Sequence, residues 1–145
     1  MDLKNISGGK YLKKIHLPKI LYKIDKLIYL PCLKTHRHPK FTGSLKLSMG
    51  FTKQVDRLKF HTNKLQEKIA DLNKIIHPDL IIMDARKCFI NGAPNFGEIA
   101  KPNKLLASTQ RKDIDIKGIE IIQGFKGNSL TQIVGKELPQ IKNFI

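Results

Sequence analysis

The chain has 145 residues and carries 27 Lys plus Arg against 12 Asp plus Glu, a formal net charge of +15 at pH 7. With 41% hydrophobic and 27% charged residues it has the composition of one ordinary globular domain, which excludes a disordered tail and a collagen-like repeat. No segment approaches the roughly 18 consecutive apolar residues of a membrane span, and the opening MDLKNISGGKYLKK has no apolar run of signal-peptide length, so a cytoplasmic protein is expected.

The two cysteines, Cys32 and Cys88, are too few for an all-cysteine iron–sulfur cluster or a disulfide framework. Only four of the 27 basic residues are arginine, and isoleucine is abundant. Lysine and isoleucine have A/T-rich codons, so much of the charge is accounted for by base composition on a solvated surface. Readers of nucleic acid make heavier use of arginine forks. A charge of +15 still favours polyanions, which keeps a basic nucleic-acid-binding module as the alternative function.

Three short branched runs read as buried strands: 26–30 (KLIYL), 79–83 (DLIIM) and 104–107 (KLLA). Between the first two, Leu65, Ile69, Leu72 and Ile76 recur at helical spacing, with Lys64, Glu67, Lys68, Asp71 and Lys74 on the water side. His61 opens this helix and Pro78 closes it. A second helix is predicted over 113–122, with Gly124 as its stop. The order predicts an α/β fold, a partial three-layer sandwich around a small, mostly parallel sheet. The chain reads as a single α/β unit over 1–145. So few strands fit part of a larger domain, one completed by a partner chain or by a missing N-terminal segment.

Ligands of open α/β sheets bind beyond the carboxyl ends of strands, so those ends carry the candidate site. The first is followed by Cys32, Lys34, Thr35, His36, His38, Thr42, Gly43 and Lys46, the second by Asp84 and the 91–94 turn, the third by Ser108 and Thr109. The three strand ends are thus expected to bring hydroxyls, imidazoles, a carboxylate and an ammonium to one edge. His36 suits general acid or base work or metal ligation near neutral pH. Cys32, His36 and His38 have partial zinc spacing, with Cys88 and either His61 or His77 as candidate completions. The turn Thr42-Gly43-Ser44-Leu45-Lys46 leads into an apolar helix, a geometry in which backbone N–H groups and a lysine hold phosphate or carboxylate, although the longer glycine pattern of a P-loop is missing. Asp84 ends an apolar strand and faces either a cleft or a desolvation cost. Asp71 reads as a surface charge, and Asp115 as a carboxylate favoured by the first turn of its own helix.

The ordered motifs resemble a widespread prokaryotic family, domain of unknown function number three-six-two (DUF362). The resemblance rests on Leu30-Pro31-Cys32-Leu33-Lys34-Thr35-His36, Thr42-Gly43-Ser44-Leu45-Lys46, Asp71-Leu72-Asn73, Pro78-Asp79-Leu80 with Asp84, Gly92-Ala93-Pro94-Asn95-Phe96-Gly97, Ala107-Ser108, Asp115 and the closing Leu138-Pro139-Gln140-Ile141-Lys142. It implies a C-terminal portion of a larger family domain, since members usually begin with a further α/β segment. Gln110-Arg111 stands where the family usually has Asp-Pro. The added ferredoxin-type domain of some members is excluded here by the cysteine count.

More remotely, the strand, His, small-residue turn, Lys and later His are similar to the N-terminal domain of nickel-pincer lactate racemases. That resemblance implies a pyridinium-type cofactor on Lys46, nickel at His61 and acid/base work at His36. The candidate site is therefore His36 and Lys46 as catalytic residues, Lys34, Thr35, Thr42, Gly43, Asp84 and Ser108 as ligand contacts, and His61 as metal ligand. The expected ligand is a small anion or a phosphate-bearing cofactor, handled by an oxidoreductase- or racemase-like domain, with no iron–sulfur cluster and no membrane partner. An inactive truncated remnant is the further alternative.

Overall fold

The computed structural model of the chain describes residues 1–38, 40–92 and 95–144, apart from the side chain of Lys59. The 91–94 turn lies partly outside the described residues. In chain order, β1 (Asp2–Asn5) and β2 (Lys14–Leu17) form an antiparallel hairpin. After a three-ten turn at Lys19–Tyr22 come β3 (Ile28–Tyr29), then β4 (Lys34–His36) and β5 (Lys40–Thr42), paired antiparallel. One turn of helix, α1 (Ser44–Leu47), runs into three-ten backbone at Ser48–Phe51 and then into α2 (Gln54–Thr62) and α3 (Leu65–Leu72). The rest comprises β6 (Leu80–Ala85), β7 (Cys88–Phe89), β8 (Ile99–Ala100), β9 (Lys104–Ser108), α4 (Arg111–Gln123), a three-ten turn at Gly135–Glu137 and α5 (Pro139–Lys142).

The central sheet has the order β3-β6-β9. β3 runs parallel to β6, and the pairing continues past it through a bridge from Cys32 to Asp84 and a Leu33 N–H donated to the Asp84 carbonyl at 2.9 Å. β9 runs antiparallel to β6, with Ile81 opposite Ser108 and Ala85 opposite Lys104. The chain is thus α/β, but its sheet is small and of mixed orientation, so the expectation of a mostly parallel sheet is corrected. The physical reason is the connection. Parallel strands need a crossover, usually helical, which the helices between β3 and β6 provide, whereas the 86–103 passage carries the β7–β8 pair in place of a crossover helix and returns β9 antiparallel.

Ile81, Met83 and Ala85 of β6 are fully buried, while Leu80, Ile82 and Asp84 alternate to the other face. α4 covers the buried face. A Cβ placed on its Gly118 would lie 2.8 Å from Leu33, 3.1 Å from Phe41 and 3.3 Å from Met83, so glycine is what lets this helix approach so closely. The opposite face carries exposed Ile28 and Leu105, which gives two layers there rather than a sandwich of three.

The predicted amphipathic helix is broken. Its pattern is real, since Ile69 and Leu72 are buried, but α2 ends at Thr62 and Lys64 adopts left-handed backbone (φ 51°) before α3 begins. α3 ends at Leu72, where the Asn73 side chain donates to the carbonyls of Leu45 and Ile69, both at 2.8 Å. Ile76 is buried beyond the helix rather than on it. Asp71 is buried too, and accepts the backbone N–H groups of Tyr11 and Leu12 at 2.7 and 2.9 Å, pinning the loop between β1 and β2.

Candidate functional site

The site is built on the β4–β5 hairpin. Its register pairs Lys34 with Thr42 and His36 with Lys40, so these four share one face, while Thr35 and Phe41 turn inward and are buried. Thr35 donates its hydroxyl to the Phe89 carbonyl at 3.2 Å, which ties the hairpin to β7. Of the predicted ligand contacts, Thr35 is therefore a scaffold residue.

The turn after the hairpin is set by a residue 71 positions away. The Asp115 carboxylate accepts the Ser44 N–H at 2.6 Å and the Leu45 N–H at 3.1 Å, and so caps α1 from inside the protein. Those donors were candidates for binding phosphate, and an internal carboxylate already occupies them. Gly43 is required by this contact, because a Cβ there would sit 2.4 Å from Asp115 Oδ1 and 2.6 Å from Phe41. Burial raises the Asp115 carboxyl to about 6 even though the two N–H groups pull it down.

Beneath the turn lies a chain of buried polar contacts. Tyr29 and Ser48 hydroxyls meet at 3.0 Å, Ser48 donates to Asn73 Oδ1 at 2.8 Å, and Arg111 donates to the same oxygen at 2.7 Å and to the Ile76 carbonyl at 2.5 Å. The Arg111 guanidinium also stacks on Phe144, 4.5 Å from the ring centre. This network holds α1, α3 and α4 together and fixes the direction in which Lys46 leaves α1.

Lys46 enters an open pocket of about 480 Å³ past the carboxyl end of β3. Lys34, Lys46, Arg57 and His61 supply its polar wall with Thr42 and Gly43, and Leu30, Pro31, Cys32, Leu47, Met49 and Gly50 supply the rest. Among the described residues that line it, none is acidic. Burial, and then the charge of Lys34, lowers the Lys46 ammonium to about 8. The Thr42 hydroxyl oxygen is buried and has no hydrogen-bond partner among the described residues.

His36 stands beside this pocket on the same hairpin face as Lys34. Burial lowers its imidazolium to about 4, helped by the charges of Lys46, His38, Lys34 and His61. Its Nδ1 accepts the His38 backbone N–H at 3.2 Å, which leaves the proton of the neutral ring on Nε2. A neutral imidazole surrounded by cations can pass a proton or ligate a metal, but it is a poor cation.

The structure thus brings together Lys34, His36, Thr42, Gly43, Lys46 and His61. It does not bring Asp84 or Ser108 to them. Asp84 projects from the exposed face of β6 beside Cys32 and does not line the pocket, because the Arg86 guanidinium grips it at 2.8 and 3.1 Å and holds its carboxyl at about 2. Ser108 is on the edge strand, at the end of the sheet away from the carboxyl end of β6 because β9 is antiparallel, and its hydroxyl accepts the Gln110 N–H at 2.9 Å. His61 sits in the last turn of α2 rather than opening a helix. Arg57, one turn before it, is a pocket residue that strand-end reasoning missed; the i, i+4 spacing to His61 is the signal that could have found it. Among the described residues no group of three His, Cys, Asp or Glu side chains is placed to hold a metal ion, which leaves the Cys32–His36–His38 zinc spacing unassembled. Nor is any described helix long and apolar enough to cross a membrane.

No curated protein and no solved structure matches the chain. The family described as Domain of unknown function (DUF362) matches residues 1–120, which include every residue of the pocket and its supporting network up to Asp115, and the chain belongs to that family.

Proposed function

We propose that the pocket between the β4–β5 hairpin, α1 and α2 binds a small anion or an anionic cofactor, and that His36 serves as the proton-transferring group beside it. The observation that carries this reading is the charge of the lining: Lys34, Lys46 and Arg57 converge with His61, with no carboxylate among them. Clustering like charges in a partly buried cleft is unfavourable by itself, and a bound anion relieves the repulsion. The unpartnered Thr42 hydroxyl supplies a further donor. The apolar wall of Leu30, Pro31 and Met49 fits a ligand whose anionic group is attached to an organic body.

A pyridinium-type cofactor attached at Lys46 is a finer form of the same proposal. Such a group, with its nickel, supplies hydride chemistry. The residues present fit it in kind: Lys46 offers an amine whose cationic form is weakened, His61 an imidazole on the same pocket wall, and His36 a neutral ring able to take or return a proton. Among the described residues no cluster of three candidate ligands forms, so of this chain's side chains His61 would be the one to hold the nickel beside such a cofactor. The intact mass of the polypeptide purified from its own cells tests this form: an adduct mapping to Lys46 supports it, and the bare 16.5 kDa chain removes it.

For the broader proposal the test is calorimetric titration with pyrophosphate. Lys46→Ala and Arg57→Ala should each weaken binding by about tenfold or more while thermal unfolding stays nearly unchanged, and Lys126→Ala, on the exposed surface, should do neither. Equal losses at all three positions would reduce the binding to net charge. Retention on duplex DNA with a steep salt dependence and indifference to Lys46→Ala would instead assign the basic surface to nucleic acid.

A further inference from the structure

The face of the central sheet that turns away from α4 is bare and apolar. Ile28 is 53% exposed, Leu30 just beyond it 67%, Ile82 36% and Leu105 64%, and Ala107 lies opposite Ile82 in register. These side chains cross all three strands. A parallel pair such as β3 and β6 belongs to sheets covered on both faces, and α4 covers only one.

The dimensions and the charge of this face say what fits it. Three strands at about 4.8 Å spacing make a strip about 10 Å wide, the diameter of one α-helix. At one end the strip opens into a hollow of about 570 Å³ formed by Asp84, Arg86, Lys87 and Asn103, with Lys104 exposed at the same end of β9. Asp84 is already paired with Arg86 at 2.8 Å, so the surplus charge there is positive. A second copy of this chain, itself at +15, meets like charge on approach. An acidic partner meets the opposite.

We propose that the open face of the β3-β6-β9 sheet is a docking surface for an amphipathic helix with acidic flanks, supplied by another polypeptide. Leucine-type residues of that helix pack on Ile28, Ile82 and Leu105, and its carboxylates meet Arg86, Lys87 and Lys104. Leu30 and Cys32 belong both to this side of the sheet and to the wall of the cationic pocket, so a seated helix also closes the pocket on that side. Only this last consequence rests on the pocket's being a binding site.

The test is fluorescence anisotropy of the full chain with a synthetic helical peptide of about 18 residues that has a leucine stripe flanked by glutamates. A scrambled peptide of the same composition is the control. The stripe peptide should bind about tenfold or more tightly than the scramble, and Leu105→Lys should weaken it by about tenfold or more. Leu58→Lys, on α2 at 67% exposure, should leave it unchanged. Leu105 is 64% exposed, so this variant should fold, and circular dichroism checks that it does. Equal binding of stripe and scramble, or indifference to Leu105→Lys, would overturn the proposal. So would sedimentation of the free chain as a dimer that Leu105→Lys dissociates, which would give the face to a second copy. Neither peptide result depends on pyrophosphate, so loss of one proposal leaves the other standing.

Discussion

The carboxylate of Asp115 lies 2.6 Å from the backbone nitrogen of Ser44, and through this contact α4 determines the shape of the turn that launches Lys46. The two residues are 71 positions apart. A fully buried acid thus does what a local cap residue does in most helices.

That acid should leave a signature in stability against pH. Because Asp115 is raised from its ordinary value to about 6, the stability it contributes is fully present below pH 4 and is lost as pH rises through 6, by on the order of 2–3 kcal/mol. His36, lowered to about 4, acts in the opposite sense: its contribution is present above its ordinary value and is lost as pH falls toward 4. In the wild-type chain the two offset each other. Urea unfolding between pH 4 and 6.5 should therefore show stability falling with pH in His36→Asn and rising with pH in Asp115→Asn. Parallel slopes in the two variants would contradict the assignment.

Gly43→Ala should destabilise the fold by about 1–3 kcal/mol, because its Cβ meets a fully buried carboxylate and the Phe41 ring. Gly50→Ala is the matched control. A Cβ there meets nothing within 4 Å, and its effect should stay within about 0.5 kcal/mol. Thermal unfolding of both variants distinguishes a steric requirement from general glycine flexibility.

Arg111→Met should cost about 2–4 kcal/mol, since it leaves the Ile76 carbonyl without a donor and removes one of the two donors to Asn73 Oδ1. Arg111→Lys should not restore the loss. One guanidinium reaches Asn73, Ile76 and the His77 ring from two nitrogens, a fork that a single ammonium cannot reproduce. Chemical denaturation of both variants measures this.

Anion affinity should carry the titration of Lys46. With its ammonium lowered to about 8, sulfate binding should weaken as pH rises from 7 to 9.5, approaching about tenfold per unit at the upper end. Sulfate keeps one charge state across that range, so the change reports the protein. Lys46→Ala should bind weakly and flatly, and an unchanged slope in that variant would move the titration to another group.

The sequence by itself determined the class, the family and the local pieces. Branched runs at 79–83 and 104–107 are strands because their period and bounding residues permit little else, and the 113–122 pattern lies within α4. Lys34, His36, Thr42 and Lys46 were legible as a cluster because all four come from one short stretch on and after a hairpin. Tertiary structure decided what no local pattern encodes. The direction of β9 depends on how its connection closes, and that direction, with its place across β6 from β3, takes Ser108 away from the pocket. Asp84 lies beside Cys32 in the sheet, but its carboxylate is taken by Arg86. Arg57 joins the site because α2, packed against α3, lines the same pocket as α1, and Asp115 and Arg111 become structural centres because α4 packs over a hairpin far from it in sequence. Side-chain chemistry is written residue by residue, but the pairing of charges is a property of distance in space, which only the folded chain supplies.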